Sequence, residues 1–370
     1  MARTVVITGG GTGGHVFPMQ AIAEQLEARG WSPDELRFVG SEHGQDRRLL
    51  GGGAVPLTTL PGRGLRRSRR PRDVVANARA AVGLVVGLVR ATVCIRKWRP
   101  AAVVSVGGYA SFAVDTAAVC WRVPLILVNF DAVPGAVHRL FARFAAATCV
   151  AFGEDGSGVR VTGTPLRASI EAVARDDASR AVAKSHCTPP IEEERWVVVV
   201  MTGSLGSQRV NRAVSDLARR WSTRTDVTLW HVTGRRDFDE VRAATPKLEG
   251  LDYRVESFAD MSILWAVADL AVCRAGAITV GELTTLAIPS VLVPLPGAPG
   301  DHQAHNARRM SDVGAAVVLP DERCTGEALA DCLEPLMDRA RVAAMSAAAA
   351  TLARPHAAAA IARVVADVVS

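Results

Sequence analysis

Short runs of β-branched residues alternate along the chain with longer amphipathic stretches. The apolar runs at 3–8, 36–40, 55–60, 101–106, 124–129, 148–152 and 159–162 read as strands. A second series follows at 195–201, 227–232, 253–257, 270–273, 290–293 and 315–319. This alternation predicts βα units around mainly parallel sheets. Between the two series lies the polar stretch 167–194, with Pro189-Pro190, which holds the expected crossover. Both halves open alike. Val5-Val6-Ile7-Thr8-Gly9-Gly10-Gly11-Thr12-Gly13-Gly14 is followed by a helical pattern, and so is Val198-Val199-Val200-Met201-Thr202-Gly203-Ser204-Leu205-Gly206-Ser207. One strand, one glycine-rich turn and one helix per half predict an α/β protein of two Rossmann-like, doubly wound domains facing a cleft. Ligands are then expected at the carboxyl ends of the strands. The expected domains are 1–166 and 167–345, and the Ala/Val-rich stretch 347–370, interrupted by Pro355, reads as a terminal helical segment.

A length of 370 residues, 49% hydrophobic and 22% charged, fits two globular domains and excludes a disordered or fibrous chain. The net charge of +6 is unevenly placed. Eleven basic residues against the single acid Asp73 make positions 60–100 a +10 band and leave the remainder at −4. A localised band argues against a nucleic-acid coat and for a local anionic partner. Its longest apolar run, 80–89, has ten residues before Arg90, short of the roughly 18 needed to span a bilayer. On a helix Arg79, Arg90 and Lys97 fall within about 20° of one another, as one cationic stripe. Anionic headgroups attract each well-placed basic residue by about 1 kcal/mol, enough for such a band to dock. A core-packing helix beside a solvated arginine loop shows the same pattern. The seven cysteines have no C-x-x-C and no Cys/His ligand spacing, which points to buried free thiols in a reducing compartment. Met1 leads straight into a strand, leaving no room for a signal peptide, so a cytoplasmic chain is expected.

Gly9-x-Gly11-x-x-Gly14 follows a strand and opens a helix, the placement of a dinucleotide fingerprint. Glycines let the backbone approach a phosphate, and the helix N-terminus supplies N–H donors and a positive dipole end. A nicotinamide reading also needs an acid at the end of the second strand, where Glu42 is a late candidate. His15 directly after the glycines projects a titratable group over the anion site, unless it only caps the helix. The turn at 203–207 is weaker alone and gains from Cys273-Arg274-Ala275-Gly276-Ala277-Ile278-Thr279-Val280-Gly281-Glu282. Backbone N–H groups and Thr279 there can bind a diphosphate, and Glu282, one turn further in, can accept both hydroxyls of a ribose. An acid at that position equally satisfies the helix dipole, an effect of up to about 1 kcal/mol. Asp301-His302-Gln303 with Asn306 offers hydrogen-bonding groups for sugar hydroxyls, as would a solvated helix start. No His/Asp/Glu cluster has metal-ligand spacing and no D-x-D falls in a strand-end loop. No metal or other cofactor is expected, and the charge of a leaving diphosphate falls to helix N-termini and arginine.

These segments together resemble the MurG family, the peptidoglycan N-acetylglucosaminyltransferases that convert lipid I to lipid II. The resemblance runs from about residue 4 to 320. It is carried by Gly10-Gly11-Thr12-Gly13-Gly14-His15, Gly107-Gly108-Tyr109-Ala110-Ser111, Val161-Thr162-Gly163-Thr164-Pro165-Leu166-Arg167, the 203–207 turn, the 274–282 segment, and Asp301-His302-Gln303 with Asn306. It implies a glycosyltransferase-B fold whose terminal segment, from about 346, packs back on the first domain. It also implies inverting, metal-independent transfer from UDP-N-acetylglucosamine to the 4-hydroxyl of the muramyl sugar of undecaprenyl-pyrophosphoryl-muramyl-pentapeptide, lipid I.

By the same resemblance Ser204, Ala277, Ile278 and Thr279 contact the donor phosphates, with Arg274 beside them. Glu282 takes the ribose, Phe258 the uracil through its backbone, and His302 and Gln303 the sugar hydroxyls. Arg167, Thr12, Gly13 and Gly14 border the phosphate region from the first domain. Gly11, Thr12 and His15 hold the acceptor's pyrophosphate, with Tyr109 and Asp131 nearby. His15, Asp131 and Glu282 are the catalytic candidates; His15 is the candidate base, a role typically worth about 10²–10⁴-fold. One motif departs from the family. Its His-Glu-Gln-Asn before Ala-Val-Pro-Gly is here Val128-Asn129-Phe130-Asp131, so a carboxylate replaces an amide and an amide a carboxylate. Acceptor identity, and the choice of Asp131 or His15 as base, are therefore more open than the donor. A lipid-linked substrate favours docking of the basic band, through Arg66, Arg67, Arg69, Arg70, Leu84, Leu88 and Trp98, on the cytoplasmic face of the bacterial inner membrane. The competing readings are transfer to another lipid or natural-product acceptor, a nicotinamide oxidoreductase, and a non-catalytic membrane-binding paralogue.

Overall fold

The computed structural model describes residues 3–11, 13–42, 45–61, 71–203, 206–245 and 248–370, with the backbone path only over 71–79. It contains two compact units, residues 1–167 with 356–370, and 168–355. In the first unit the strands are β1 (Val5–Thr8), β2 (Leu36–Ser41), β3 (Leu57–Leu60), β4 (Ala102–Ser105), β5 (Leu125–Asn129), β6 (Ala147–Val150) and β7 (Val159–Val161). Its helices are α1 (Gly13–Glu27), α2 (Asp46–Leu50), α3 (Pro71–Trp98), α4 (Tyr109–Cys120) and α5 (Ala136–Phe141). The second unit holds α6 (Ala168–Glu171) and α7 (Asp177–Ser185), then β8 (Trp196–Met201), α8 (Gln208–Arg220), β9 (Val227–Val232), α9 (Phe238–Ala244) and β10 (Asp252–Glu256). It continues with α10 (Met261–Val267), β11 (Leu270–Cys273), α11 (Ala277–Thr285), β12 (Ser290–Leu292), α12 (His302–Asp312), β13 (Ala316–Val318), α13 (Gly326–Leu333) and α14 (Arg339–Thr351). The last helix, α15 (Ala357–Val369), belongs to the first unit.

Among the described residues the sheets have seven and six strands, ordered β3-β2-β1-β4-β5-β6-β7 and β10-β9-β8-β11-β12-β13, and every ladder is parallel. Parallel ladders need helical crossovers, which cover both faces of each sheet. That is why β1, β4 and β5 are buried throughout and read as unbroken apolar runs. Each fully buried Val, Ile or Leu contributes about 1.5–3 kcal/mol of transfer free energy. The first core gathers Val6, Val103, Val114, Leu125 and Leu127 under α3 and α4. The second gathers Val198, Val200, Val214, Leu217 and Leu229 under α8 and α13.

Helix α15 buries Ala357, Ala358, Ile361, Ala362 and Val365, one stripe at helical spacing, against α1, β4 and β6. Residues 346–355 stay with the second unit, where α14 packs on α11, so the returning segment starts at His356 rather than at about 346. All seven cysteines are free thiols. Burial pushes Cys149 up to about 12 and Cys324 up to about 11, so both behave as small apolar core groups. No helix of the described residues is long and apolar enough to cross a membrane.

Candidate active site

In each sheet the chain leaves the central strand in one direction and returns on its other side. The resulting switch points lie between β1 and β4 and between β8 and β11. Open α/β sheets bind ligands at such points, beyond the carboxyl ends of the strands.

Two glycine turns meet at the first. Gly10 (φ +127°) follows β1 and Gly108 (φ +95°) follows β4. A Cβ on Gly108 would lie 2.7 Å from the Gly10 carbonyl oxygen, so no larger residue lets the turns close on each other. A Cβ on Gly10 would overlap Asp46 Oδ1. Asp46, wholly buried at the start of α2, accepts the Gly11 N–H through Oδ2 at 2.9 Å and so fixes the loop from beneath. Helix α1 starts at Gly13, so its unpaired N–H groups and positive dipole end follow directly on that loop.

His15 is half-buried in the first turn of α1, its ring centroid 6.2 Å from that of Phe130. The place where a Cβ on Gly107 would stand is 3.7 Å from His15 Nε2 and 3.4 Å from Nε2 of His138. The two imidazoles therefore approach the same side-chain-free backbone. His138, from α5, is buried and bonded to the Ser105 backbone, while its Nε2 meets no partner among the described residues. Burial first, and then the charge of His15, push its pKa down to about 4, against the Ser105 bond, so this ring is neutral at pH 7. The Ser105 hydroxyl donates to Asp115 at 2.9 Å, and burial holds that carboxyl well above the usual carboxylate range. Asn129 Nδ2 donates to the Asp131 carbonyl at 3.0 Å, closing the turn in which half-buried Asp131 sits. Arg167 stacks 4.4 Å over the Phe17 ring of α1, and Tyr109 is 62% exposed where α4 begins.

At the second switch point Gly276 adopts an extended conformation and α11 begins with Ala277, Ile278 and Thr279. The first-turn N–H groups of a helix lack intrahelical partners, and with no acid in this turn they suit an anion. Asn306, fully buried on α12, donates to the Ala275 carbonyl at 3.1 Å and holds this turn. Glu282, buried further along α11, accepts the Trp265 indole N–H through Oε2 at 2.9 Å. Across the switch point, the turn after β8 rests on a buried network. Asn211 Nδ2 donates to the Thr233 carbonyl (2.9 Å) and to Asp237 Oδ2 (3.0 Å), and its Oδ1 lies 3.0 Å from His231 Nε2. Burial pushes His231 down to about 3, so its Nε2–H donates to Asn211 and its Nδ1 accepts from Tyr253 Oη at 2.8 Å. His302 Nδ1 lies 2.9 Å from the Pro299 carbonyl, and Gln303 Oε1 accepts the Leu295 N–H at 2.9 Å. His302 and Gln303 are thus each anchored to the backbone of the 295–299 loop. Phe258, 53% exposed, follows β10 with Arg235 5.6 Å over its ring.

The chain matches the glycosyltransferase family 28 N-terminal domain over residues 5–150 and the family 28 C-terminal domain over 197–362. It is 34% identical over 367 residues, 95% of each chain, to the UDP-N-acetylglucosamine--N-acetylmuramyl-(pentapeptide) pyrophosphoryl-undecaprenol N-acetylglucosamine transferase of Desulforudis audaxviator. To the protein of the same name from Methylococcus capsulatus it is 35% identical over 369 residues, 98% of each chain. Acinetobacter baumannii MurG superposes with a TM-score of 0.78 at 26% identity over 99% of each chain. The chain belongs to the MurG family.

For this MurG-family chain, the structure gathers Gly11, Gly13, Gly14, His15, Tyr109 and Asp131 around the first switch point and Ala277, Ile278, Thr279 and Glu282 at the second. Thr12, Ser204, Arg66, Arg67, Arg69 and Arg70 lie outside the described residues. Arg274, expected beside the donor phosphates, has a different setting. Its guanidinium donates to the carbonyls of Val293 (3.0 Å) and Pro294 (3.2 Å) and to Ser207 Oγ (2.7 Å), and it pairs with Asp321 at 2.7 Å. It ties the turns that follow β8 and β12 together rather than presenting an open cation. Glu42, the late nicotinamide candidate, pairs instead with Arg90 at 2.9 Å.

On α3, Leu88 and Trp98 pack partly against the core, whereas Leu84 is exposed. The apolar stripe turned to solvent is Val82, Val85, Val86, Val89 and Val93, at i, i+3, i+4, i+7 and i+11. Arg90, Arg96 and Lys97, all exposed, flank it. Sequence reasoning missed Asp46, His138 and Trp265, whose partners are 17 to 35 residues away or in another βα unit. Among the described residues no group of three His, Cys, Asp or Glu side chains comes together as a metal site.

Proposed function

We propose that this chain transfers N-acetylglucosamine from UDP-N-acetylglucosamine to the muramyl 4-hydroxyl of lipid I, with the nucleotide held by its second unit. The observation that carries the reading is the build of the second switch point. A helix start without an acidic side chain suits a diphosphate, and a buried, anchored carboxylate beyond it suits a ribose. The relatives named for this transfer match the chain over nearly its whole length.

In the proposed reaction the acceptor hydroxyl oxygen bonds to the anomeric carbon as the bond from that carbon to the β-phosphate oxygen breaks. The configuration inverts, the hydroxyl proton passes to His15, and UDP departs with its negative charge toward the α11 N-terminus. Gly11, Gly13 and Gly14 hold the acceptor's pyrophosphate; Phe258, His302 and Gln303 read the uracil and the sugar. A titration with UDP-N-acetylglucosamine and with NADH tests the nucleotide half: binding of the first alone supports it, and the reverse overturns it.

Transfer to a different lipid or natural-product acceptor is favoured by one feature, the Asn129 and Asp131 pair. There the amide is bound into its own turn and a carboxylate stands where the family has an amide. In either case the exposed valine stripe of α3 with its flanking cations suits an anionic membrane surface, in keeping with a peripheral enzyme on the cytoplasmic face of the inner membrane.

A further inference from the structure

Glu282 cannot hold a ribose unless something holds Glu282. A glutamate has three rotatable bonds, and fixing such a side chain costs rotamer entropy. Trp265, a fully buried tryptophan on α10, meets it and donates its indole N–H to Oε2 at 2.9 Å. Tryptophan Nε1–H donates and never accepts, so this contact persists only with a carboxyl oxygen facing it.

The donor is itself rigidly placed. Asp260 caps the start of α10, its carboxylate accepting the Ser262 N–H at 2.9 Å. At the other end the half-buried Arg175 guanidinium donates to the carbonyls of Trp265 and Ala268, the latter at 2.8 Å. Those are the carbonyls that a helix end leaves unpaired, so the arginine closes the last turn and fixes the backbone of Trp265. The same helix starts three residues after Phe258, expected at the uracil.

We propose that Trp265 is a positioning residue that makes the donor site selective for ribonucleotides: by fixing one oxygen of Glu282 it aims the carboxylate at the ribose hydroxyls. The inference rests on the ribose reading of Glu282 given above. A pre-oriented carboxylate forms its bonds to the hydroxyls without losing further side-chain freedom, and a hydroxyl bonded to a charged group is worth about 1.5–3 kcal/mol, tenfold or more in affinity. Glu282 freed from the indole loses part of that preference, while contacts to the phosphates and the uracil remain.

The test is the ratio of affinities for UDP and 2′,3′-dideoxy-UDP, measured by calorimetry on the full chain and on Trp265→Phe. Phenylalanine keeps an aromatic ring in the core and deletes the N–H. Site-specific replacement of Trp265 by benzothienylalanine removes the N–H at nearly constant ring volume, should the phenylalanine variant fold poorly. A general loosening weakens both ligands alike and leaves the ratio unchanged, so the ratio isolates positioning from stability. The expected result is a wild-type preference for UDP of about tenfold or more that falls at least about threefold in either variant, with the affinity for dideoxy-UDP little altered. A wild-type preference retained in full by both variants overturns the role of Trp265. Equal affinity of the wild type for the two nucleotides overturns the ribose reading of Glu282 beneath it.

Discussion

Replacing Arg274 by Met asks whether this arginine serves the phosphates or the frame around them. Its side chain is 12% exposed and that of Asp321 11%, so the pair is largely withdrawn from water. Without the guanidinium, the Ser207 hydroxyl and the carbonyls of Val293 and Pro294 lose a donor at once, and the Asp321 carboxylate loses one of its cations while keeping Arg209 at 3.0 Å. Methionine fills much of the volume, so the loss is chiefly electrostatic. Removing one partner of a buried pair costs about 3–5 kcal/mol when the other charge is left alone, and the partial exposure here, with Arg209 still paired to Asp321, puts the expectation at the lower end. Urea unfolding followed by tryptophan fluorescence suits the measurement, because Trp196, Trp221, Trp230 and Trp265 all lie in the second unit. Arg274→Met should lower the unfolding free energy by about 3 kcal/mol. Arg274→Lys should recover only part of it, since an ammonium cannot reproduce a planar fork shared among four acceptors. An unchanged unfolding midpoint, together with a UDP affinity reduced by about a hundredfold, would refute this account and return Arg274 to the phosphates.

Acidification should destabilise the fold through two histidines. His138 and His231 bind a proton less readily folded (about 4 and about 3) than at the ordinary 6.5. Their contribution to stability is thus intact above pH 6.5 and is lost progressively as the pH falls toward those values. Asp115, raised by burial, acts in the opposite sense at low pH. Urea midpoints measured between pH 7 and 4.5 should fall, and His138→Asn should flatten the slope; a slope unchanged in that variant contradicts the assignment. Serine at Val82, Val85 and Val89 should weaken binding to anionic vesicles, as should serine at Arg66, Arg67, Arg69 and Arg70, by about 1 kcal/mol per engaged cation. Vesicle co-sedimentation that changes in neither variant removes α3 and its loop from the docking surface. If Asp131 is the base, Asp131→Asn should slow turnover by about 10²-fold or more; unchanged turnover leaves His15 in that role.

The sheets were legible because parallel strands buried on both faces leave unbroken β-branched runs, and β9 and β11 start and end where those runs do. The glycine turns were legible because backbone at positive φ and in close approach to a neighbouring turn tolerates few residue types. Their supports were not. Asp46 reads in sequence as an ordinary first-turn acid, and its role shows only when the fold brings it under Gly10 and Gly11. Trp265 reads as core, and His138 as one polar residue on a short helix. Arg274 shows the converse: its position beside a phosphate loop was evident, but Asp321, 47 residues on, redirects its charge into the protein. On α3 the pattern located an apolar helix with a cationic stripe. Which apolar face turns outward depended on where α4 packs, and that left the valines exposed and drew Leu88 and Trp98 inward.

The central claim is tested most directly by incubating the purified chain with radiolabelled UDP-N-acetylglucosamine and lipid I, beside other polyprenyl-pyrophosphate and natural-product acceptors. The account predicts label in a disaccharide product with lipid I, in preference to the others and without added divalent metal. Protein that binds the UDP-sugar yet transfers no label to lipid I would contradict it.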